Sequence, residues 1–211
     1  MCYSIYCRKN HKGESIIMKK LILVTSPPAC GKTYISKELS KNLKNIVYLD
    51  KDTLICLSKQ IFKVANEEYN RSSDFFEENI RNYEYEAILN LAMEALDYND
   101  KVLINAPFTR EIRDPFFIEK LRDQLKEKDA KLVVIWVETS KEVCKQRMIE
   151  RDSDRDTWKL EHWDEYIAGC NFEVPTLIDD PAKKDGLLIF KNSSDEEFEN
   201  SMKEIVDILE S

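Results

Sequence analysis

The residues with the clearest chemical pattern form an octet, Ser26 to Thr33, which matches the phosphate-binding pattern GxxxxGK[ST] except that Ser26 replaces the first glycine. In such a loop, backbone N–H groups and the dipole of the following helix bind nucleotide phosphates. Lys32 is expected to contact the outer phosphates, and the Thr33 hydroxyl is expected to bind Mg²⁺, which prefers oxygen ligands. The residues predicted to bind the nucleotide here are Ser26, Ala29, Cys30, Gly31, Lys32, Thr33 and Tyr34.

Two carboxylates follow the second predicted strand, in the segment Asp50-Lys51-Asp52. A carboxylate that accepts the proton of an attacking hydroxyl assists phosphoryl transfer, although positioning and charge neutralisation contribute most of the catalysis. Asp52 is therefore predicted to be the general base, and Asp50 to contact Mg²⁺ or its waters. The alternative, compatible with the first, is that Asp52 caps the next helix.

Three arginines recur every four residues at Arg147, Arg151 and Arg155, with aspartates between them. If one helix continues through them, this spacing places all three on one face. Arg151 and Arg155 are then predicted to be catalytic residues on a mobile lid at about residues 147–160, where guanidinium groups neutralise charge on the transferred phosphoryl. Arg147 is predicted to stack on the nucleotide base. A solvated helix with internal salt bridges would show a similar mixture of charges.

Polar side chains also follow the third predicted strand. Arg110 and Arg113 are candidates for binding an anionic substrate, and the alternative is that they are surface residues before a helix that begins near Asp114. Asn105 is expected either to hold a metal-bound water or to tie down its own loop. These groups matter because parallel sheets bind ligands beyond the carboxyl ends of their strands.

The elements that would position these residues alternate between apolar strands and amphipathic helices. Strands are predicted at 21–26, 46–49, 101–105, 132–137 and 187–190. Continuous apolar runs such as Leu21 to Val24 are typical of parallel strands covered on both faces, so the pattern predicts an α/β fold. After the octet, Ile35, Leu39 and Leu43 form one apolar helical stripe.

Capping-box spacing predicts three further helix starts. The three pairs are Asp74 with Glu77, Thr139 with Glu142, and Ser194 with Glu197.

Composition and charge narrow the class of protein. The 211 residues fit one domain at 19–211, preceded by a flexible extension at 1–18 or by a start-site artefact, because Met18 lies just before the first strand. The net charge of −8 disfavours a nucleic-acid partner, and no apolar run is long enough to cross a membrane.

Six cysteines without CxxC spacing predict reduced thiols and a cytoplasmic protein. Cys30 is interpreted as a small loop residue, or alternatively as a site where oxidation blocks nucleotide binding.

The octet, the segment Asp52 to Ile55 and the arginine cluster from Arg147 to Asp156 together resemble P-loop kinases of the AAA_33 or zeta-toxin-like group. This group is similar to chloramphenicol phosphotransferase, gluconate kinase and polynucleotide kinase, and the resemblance covers about residues 20–190. It implies a P-loop NTPase three-layer fold with a five-stranded parallel sheet of order 2-3-1-4-5 and a helical lid. It also implies that Asp52 is the base. Polynucleotide kinases carry an arginine where Ile55 stands, so a nucleic-acid acceptor is not favoured.

The expected cofactors are ATP and Mg²⁺. ATP is preferred to GTP because no Asn-Lys-x-Asp element follows a strand, and Asn192 after the last strand is expected to contact adenine. The aromatic residues of the segment 53–98 either line an acceptor pocket or belong to the core: Tyr69, Phe75, Phe76, Tyr83 and Tyr85. Trp158 and Trp163 either close over the site or anchor the base of the lid.

The predicted function is transfer of the γ-phosphoryl group of ATP to a hydroxyl of a small-molecule acceptor. Two alternatives stay open, a regulatory switch with slow ATPase activity and a nucleic-acid end kinase. Neither the acceptor nor the oligomeric state follows from the sequence.

Overall fold

The central element is a five-stranded parallel sheet. The structure, a computed structural model, describes residues 8–9, 15–16, 18–153, 156–176 and 186–211. The strands of the sheet are β3 (Lys19–Thr25), β4 (Ile46–Asp50), β5 (Lys101–Asn105), β6 (Ala130–Glu138) and β7 (Gly186–Lys191). Two further strands, β1 (Arg8–Lys9) and β2 (Ser15–Ile16), form a separate antiparallel pair within the predicted extension.

The strand order is β4-β5-β3-β6-β7, with every pair parallel. If the five strands of this sheet are numbered 1 to 5 along the chain, starting with β3, their order in space is 2-3-1-4-5. This confirms the predicted order. The central strand β3 is flanked on both sides, and its four residues Leu21 to Val24 have no exposed surface. This burial explains why the strand is a continuous apolar run rather than an alternating one.

The helices cover both faces of the sheet. They are α1 (Lys32–Asn42), α2 (Ile55–Ala65), α3 (Asp74–Phe76), α4 (Asn82–Ala95), α5 (Pro115–Lys126), α6 (Lys141–Arg151), α7 (Thr157–Glu161), α8 (Trp163–Ala168) and α9 (Asp195–Glu210). Helices α4 and α5 pack on one face, with Ile88 and Leu121 in its apolar core. Helices α1 and α9 pack on the other face through Ile35, Leu39 and Ile205. This sandwich is the predicted three-layer arrangement.

Of the three predicted helix starts, only the last lies at the predicted residue. Ser194 caps α9 by accepting a hydrogen bond from the Glu197 N–H. The other two are wrong by one position, because the caps are Ser73 and Ser140 rather than Asp74 and Thr139. Ser73 supplies a hydroxyl in extended backbone one residue earlier, and the Thr139 hydroxyl instead donates to the Cys30 carbonyl.

The aromatic residues between α2 and α4 belong mainly to packing. Phe62, Phe76 and Ile80 form a small buried cluster with Phe75 against it, and Tyr85 is in the main core. Tyr69 and Tyr83 are largely exposed. In the described ranges, no helix is both long and apolar enough to cross a membrane.

Candidate functional site

The phosphate-binding loop joins β3 to α1 and depends on two left-handed backbone positions. Ala29 has φ 63° and Gly31 has φ 88°. A side chain at residue 31 would be strained by this φ, and its Cβ would lie 2.6 Å from the Asn192 side-chain nitrogen. Glycine is therefore required at residue 31 for both backbone conformation and space. The predicted substitute at the loop's first position, Ser26, is buried and donates to the Pro27 carbonyl at 2.7 Å.

The Cys30 carbonyl anchors this loop to the far half of the sheet. It accepts hydrogen bonds from Asn192 Nδ2 at 2.7 Å, Thr139 Oγ1 at 3.1 Å and Arg147 at 3.4 Å. The buried side chain of Asn192, predicted to bind nucleotide, thus holds the loop itself. The Asn192 carbonyl accepts from Arg147 at 2.9 Å. The ends of β6 and β7 and the helix α6 therefore fix the shape of the loop.

Lys32 points inward to the end of β5. Its Nζ donates to Asn105 Oδ1 at 2.6 Å, and the Asn105 amide nitrogen contacts Asp50 at 2.9 Å and Thr33 at 3.2 Å. Burial lowers the pKa of Lys32 to about 8, although Asp52 and Asp50 oppose the shift. Asn105 thus connects the predicted phosphate-binding lysine to the two predicted metal ligands. The hydrogen bonds of its side chain hold this network in place rather than the loop that follows β5.

The donor set around Asn105 fits Mg²⁺. Asp50 offers a carboxylate and Thr33 a hydroxyl, both of them hard oxygen ligands. Burial disfavours the charged form of Asp50, but hydrogen bonds from Tyr48, the Asp52 N–H and Asn105 outweigh it and lower its pKa. An ionised carboxylate beside a threonine hydroxyl is the chemistry that a P-loop requires for its metal.

Asp52 lies in a short 3₁₀ turn, Lys51–Leu54, directly after β4. The cap of this turn is Asp50, whose carboxylate accepts from the Asp52 N–H at 3.0 Å, so the capping alternative for Asp52 is wrong. The Asp52 carboxylate is exposed and has no hydrogen bond from any residue that the structure describes. It lines the same cavity as Lys32 and Thr33. The carboxylate is thus accessible to a ligand in this cavity.

The predicted arginine face is wrong in part, because α6 ends at Arg151. Asp152 takes a left-handed conformation, φ 44°, and stops the helix. Arg147 and Arg151 share α6, while Arg155 lies outside the described residues. Arg151 pairs with Asp156, whose side chain is fully buried and also accepts from Lys159 at 3.0 Å. Of the two tryptophans, Trp158 stacks on His162 and Trp163 packs against the core.

A cavity of about 940 Å³ opens above the phosphate-binding loop. This volume lies at the upper end of the range for small-molecule sites. Its lining includes the whole octet with Tyr34 and Asp52, together with Pro107, Thr109, Arg110, Arg113, Arg147, Arg151, Gly169, Cys170 and Asn171. The last three, after α8, were missed by sequence reasoning because no chemical pattern marks them. None of the candidate aromatic residues of segment 53–98 lines it.

Cys30 and Cys144 lie side by side beneath the loop, with their sulfur atoms 3.6 Å apart. The hydrogen bond with Cys144 and burial both raise the pKa of the Cys30 thiol. A protonated, buried thiol is a poor nucleophile, so Cys30 acts as a small packing residue of the loop.

The comparisons with known proteins agree with this geometry. A family model described as "AAA_33: AAA domain" matches residues 21–172, which is most of the chain. No curated protein sequence matches. Among solved structures, a candidate kinase of Chloroflexus aurantiacus J-10-fl is similar with 20% identity and a TM-score of 0.61, covering 91% of this chain and 97% of the other.

Two further structures have the same fold. Kti12 of Chaetomium thermophilum, solved with ADP-AlF3, is 19% identical with a TM-score of 0.52, over 90% of this chain and 100% of that one. A sugar kinase of Janibacter sp. HTCC2649 is 13% identical with a TM-score of 0.50, over 92% and 99%. With its phosphate-binding loop, strand order and family match, the chain belongs to the AAA_33 family and has a P-loop kinase-like fold.

Proposed function

We propose that this protein is an ATP-dependent phosphotransferase that moves the γ-phosphoryl group to a hydroxyl of a small molecule. The observation that carries this proposal is the Asp52 carboxylate, which faces the cavity of the phosphate-binding loop without a hydrogen-bonding partner among the described residues. A module that only binds nucleotide does not need such a group. The similarity to the candidate kinase of Chloroflexus aurantiacus and to Kti12 with ADP-AlF3 supports the nucleotide chemistry.

In the proposed reaction, the phosphate loop and Lys32 hold the nucleotide phosphates. Asp50 and Thr33 would hold Mg²⁺, which supplies positive charge against the phosphate oxygens when bound. Asp52 accepts the proton of the acceptor hydroxyl while that oxygen forms a bond to the γ-phosphorus. The bond from phosphorus to the bridging oxygen breaks, and ADP leaves with its electron pair. Positioning and charge neutralisation contribute most of the rate.

The arginines of α6 would act on the nucleotide side. Arg147 is held between the Cys30 and Asn192 carbonyls, next to the loop. Arg151 lines the cavity while it pairs with Asp156. In this proposal Arg151 exchanges part of this ion pair for phosphate oxygens when the nucleotide is bound. Charge-assisted hydrogen bonds from guanidinium groups then stabilise the transferred phosphoryl.

The test is ADP formation from Mg-ATP with a panel of hydroxyl compounds and short oligonucleotides, using the native protein and Asp52→Asn. We expect acceptor-dependent turnover that falls at least about a hundredfold in Asp52→Asn, with ATP affinity nearly unchanged. The matched control is Asp207→Asn, because Asp207 is exposed on α9 and does not line the cavity. Slow ADP formation that no acceptor accelerates, and that survives Asp52→Asn, would contradict the proposal and favour a regulatory ATPase.

A further inference from the structure

The large cavity carries an excess of positive charge. Among the residues that the structure describes, its charged lining consists of five cations, Lys32, Arg110, Arg113, Arg147 and Arg151, and one carboxylate, Asp52. The whole chain has the opposite sign, with a net charge of −8. The cavity therefore concentrates positive charge in an acidic protein, as expected of a site for anionic ligands.

Most described arginines form ion pairs with carboxylates, and these include Arg110 and Arg151 of the cavity. Ion pairs join Arg71 to Glu84, Arg81 to Glu111, Arg110 to Glu77 and Arg151 to Asp156. Arg113 and Arg147 differ, because within the described ranges their hydrogen bonds go to backbone carbonyls. A carbonyl fixes the position of a guanidinium group but leaves its net charge uncompensated. These two arginines therefore present their charge to the cavity.

Arg113 is held firmly in place. Its guanidinium donates to the Thr109 carbonyl at 2.7 Å and to the Glu173 carbonyl, and it lies over the Trp136 ring at 4.9 Å. The side chain is half-buried, and this burial lowers its pKa. The Glu173 carboxylate opposes this shift but forms no ion pair with Arg113 among the described residues, so a bound anion relieves the remaining cost of desolvation.

The contacts of Arg113 differ from those of Arg147. They are to Thr109 after β5, to Trp136 on β6 and to Glu173 after α8. Arg147, by contrast, contacts Cys30 and Asn192. The two arginines are thus held by different segments of the cavity wall, Arg147 by the nucleotide loop and Asn192, and Arg113 by Thr109 and Glu173. If ATP takes the loop side, as the proposed function requires, Arg113 is left for the second ligand.

We propose that the acceptor is an anion, a hydroxyl compound that carries a carboxylate or a phosphate group, and that Arg113 binds this group. The proposal deepens the proposed kinase function, on which it rests for the identity of the second ligand. Arg113 is suited to this task because a planar guanidinium binds carboxylate and phosphate oxygens in a bidentate manner. The rigid support from two carbonyls and Trp136 reduces the entropy lost on binding.

The experiment uses matched pairs of probes that differ by one anionic group. Glycerate is compared with glyceramide, glycerol 3-phosphate with glycerol, and sugar acids and sugar phosphates with the neutral sugars. Binding is measured by calorimetry with a non-hydrolysable ATP analogue and Mg²⁺ present, and turnover is measured separately with ATP. The variants are Arg113→Gln, Arg113→Lys and a charge-matched control, Lys120→Gln, because Lys120 is exposed on α5 and does not line the cavity.

We expect at least one anionic probe to bind about tenfold or more tightly than its neutral partner. Arg113→Gln should abolish this preference while the affinity for the ATP analogue stays unchanged, and Arg113→Lys should restore part of it. The carboxylate and phosphate arms show which anion is bound. Loss of the preference without any turnover would support the anion site while contradicting the kinase function.

Three results would overturn the inference. One is that no anionic probe binds more tightly than its neutral partner, whether or not neutral compounds are phosphorylated. Another is that Arg113→Gln weakens neutral and anionic probes equally, which would assign Arg113 to holding the loop after α8. The third is that Arg113→Gln mainly lowers the affinity for the ATP analogue, which would place Arg113 in the nucleotide site.

Discussion

Lys51 and Asp52 are adjacent in the chain, yet their side chains belong to two different clusters of charge. Lys51 is buried and donates to Glu84 at 2.6 Å, and Glu84 also accepts from Ser58 at 2.5 Å and from both terminal nitrogens of Arg71 at 2.7 Å. We call these four residues the Glu84 cluster. Asp52 faces the cavity, where it is one carboxylate beside five cations within the described part of the chain. We call the Glu84 cluster closed, because its charged groups hydrogen-bond to one another. We call the cavity open, because the Asp52 carboxylate has no hydrogen-bonding partner among the described residues.

The difference shows how the same residue types serve structure or ligand binding. Burial disfavours the charge of Glu84, but the hydrogen bonds from Arg71, Lys51 and Ser58 outweigh it and lower its pKa to about 2. In the cavity, burial dominates for Lys32, whose pKa is also lowered, to about 8. The Glu84 cluster stabilises its charges internally, whereas the cavity leaves charge to be stabilised by ligands. Substitutions should therefore affect stability in the first and binding in the second.

The largest effect is expected from Lys32→Met. ATP affinity should fall about a hundredfold or more, because the loop loses its buried charge-assisted contact with the phosphates. The melting temperature should not fall, since burial already disfavours the charged lysine. Calorimetric titration and thermal unfolding measure the two quantities, with Lys37→Met, exposed on the same helix, as the control. A large drop in stability with retained ATP affinity would reverse the roles assigned to the two clusters.

Glu84→Gln tests the closed cluster. It leaves Lys51 and Arg71 without their carboxylate, so the free energy of unfolding should fall by about 3 kcal/mol and the melting temperature by about 6–12 °C. ATP affinity of the folded protein should change little, because Glu84 does not line the cavity. The control is Asp97→Asn, which breaks a more exposed pair with Lys128 and should cost about 0.5 kcal/mol or less. Equal losses in the two variants would contradict the distinction between closed and exposed pairs.

The pH dependence of nucleotide binding tests the part of the comparison that concerns the cavity. In the proposed site Lys32 binds phosphates in its protonated form, and with a pKa of about 8 in the protein without nucleotide it loses its proton between pH 7 and 9. The affinity for Mg-ATP should therefore fall about tenfold over this range, as the protonated fraction of Lys32 falls. Titrations at pH 7, 8 and 9 measure this slope. The slope should be absent in Lys32→Met, and a similar slope there would assign the dependence to another group.

Acid unfolding is the corresponding test for the Glu84 cluster. The pKa of Glu84 is about 2 in the folded protein, below its ordinary value near 4.5, so its stabilisation is present above pH 4.5 and is lost as the pH falls towards 2. The stability difference between the native protein and Glu84→Gln should shrink by about 1.4 kcal/mol between pH 7 and 3.5. Urea unfolding at both pH values checks this. A constant difference would mean that Glu84 is not the group that titrates.

Local sequence patterns predicted well the strands, loop and helix start that position the site. The strands, the phosphate-binding loop and the start of α9 follow from apolar runs, glycine placement and a capping serine, which act over a few residues. The end of α6 was not predicted, because the left-handed conformation that Asp152 adopts is uncommon outside glycine, although aspartate takes it more often than most residues. The four-residue spacing of the arginines then indicated a face that the helix does not continue to form.

The Glu84 cluster was not predicted because its members are far apart in sequence. Glu84 lies 33 residues from Lys51 and 13 from Arg71, and in a segment rich in glutamate it has no local mark of burial. For Arg113, the sequence supplied an arginine after a strand, but the carbonyls and the tryptophan ring that orient it come from separate segments. Side-chain pairing between distant elements is decided by tertiary packing, which the order of residues along the chain does not display.

The three hydrogen bonds to the Cys30 carbonyl have a consequence for biosynthesis. Their donors are Thr139, Arg147 and Asn192, so the loop is braced by residues as far as 162 positions later in the chain. The last of these follows β7, which within the described residues is an edge strand paired with β6. A nascent chain that has emerged as far as β5 contains the whole octet but none of these three hydrogen-bond donors. The capacity to bind nucleotide should therefore arise late, after residue 192 has left the ribosome, rather than when the octet itself is complete.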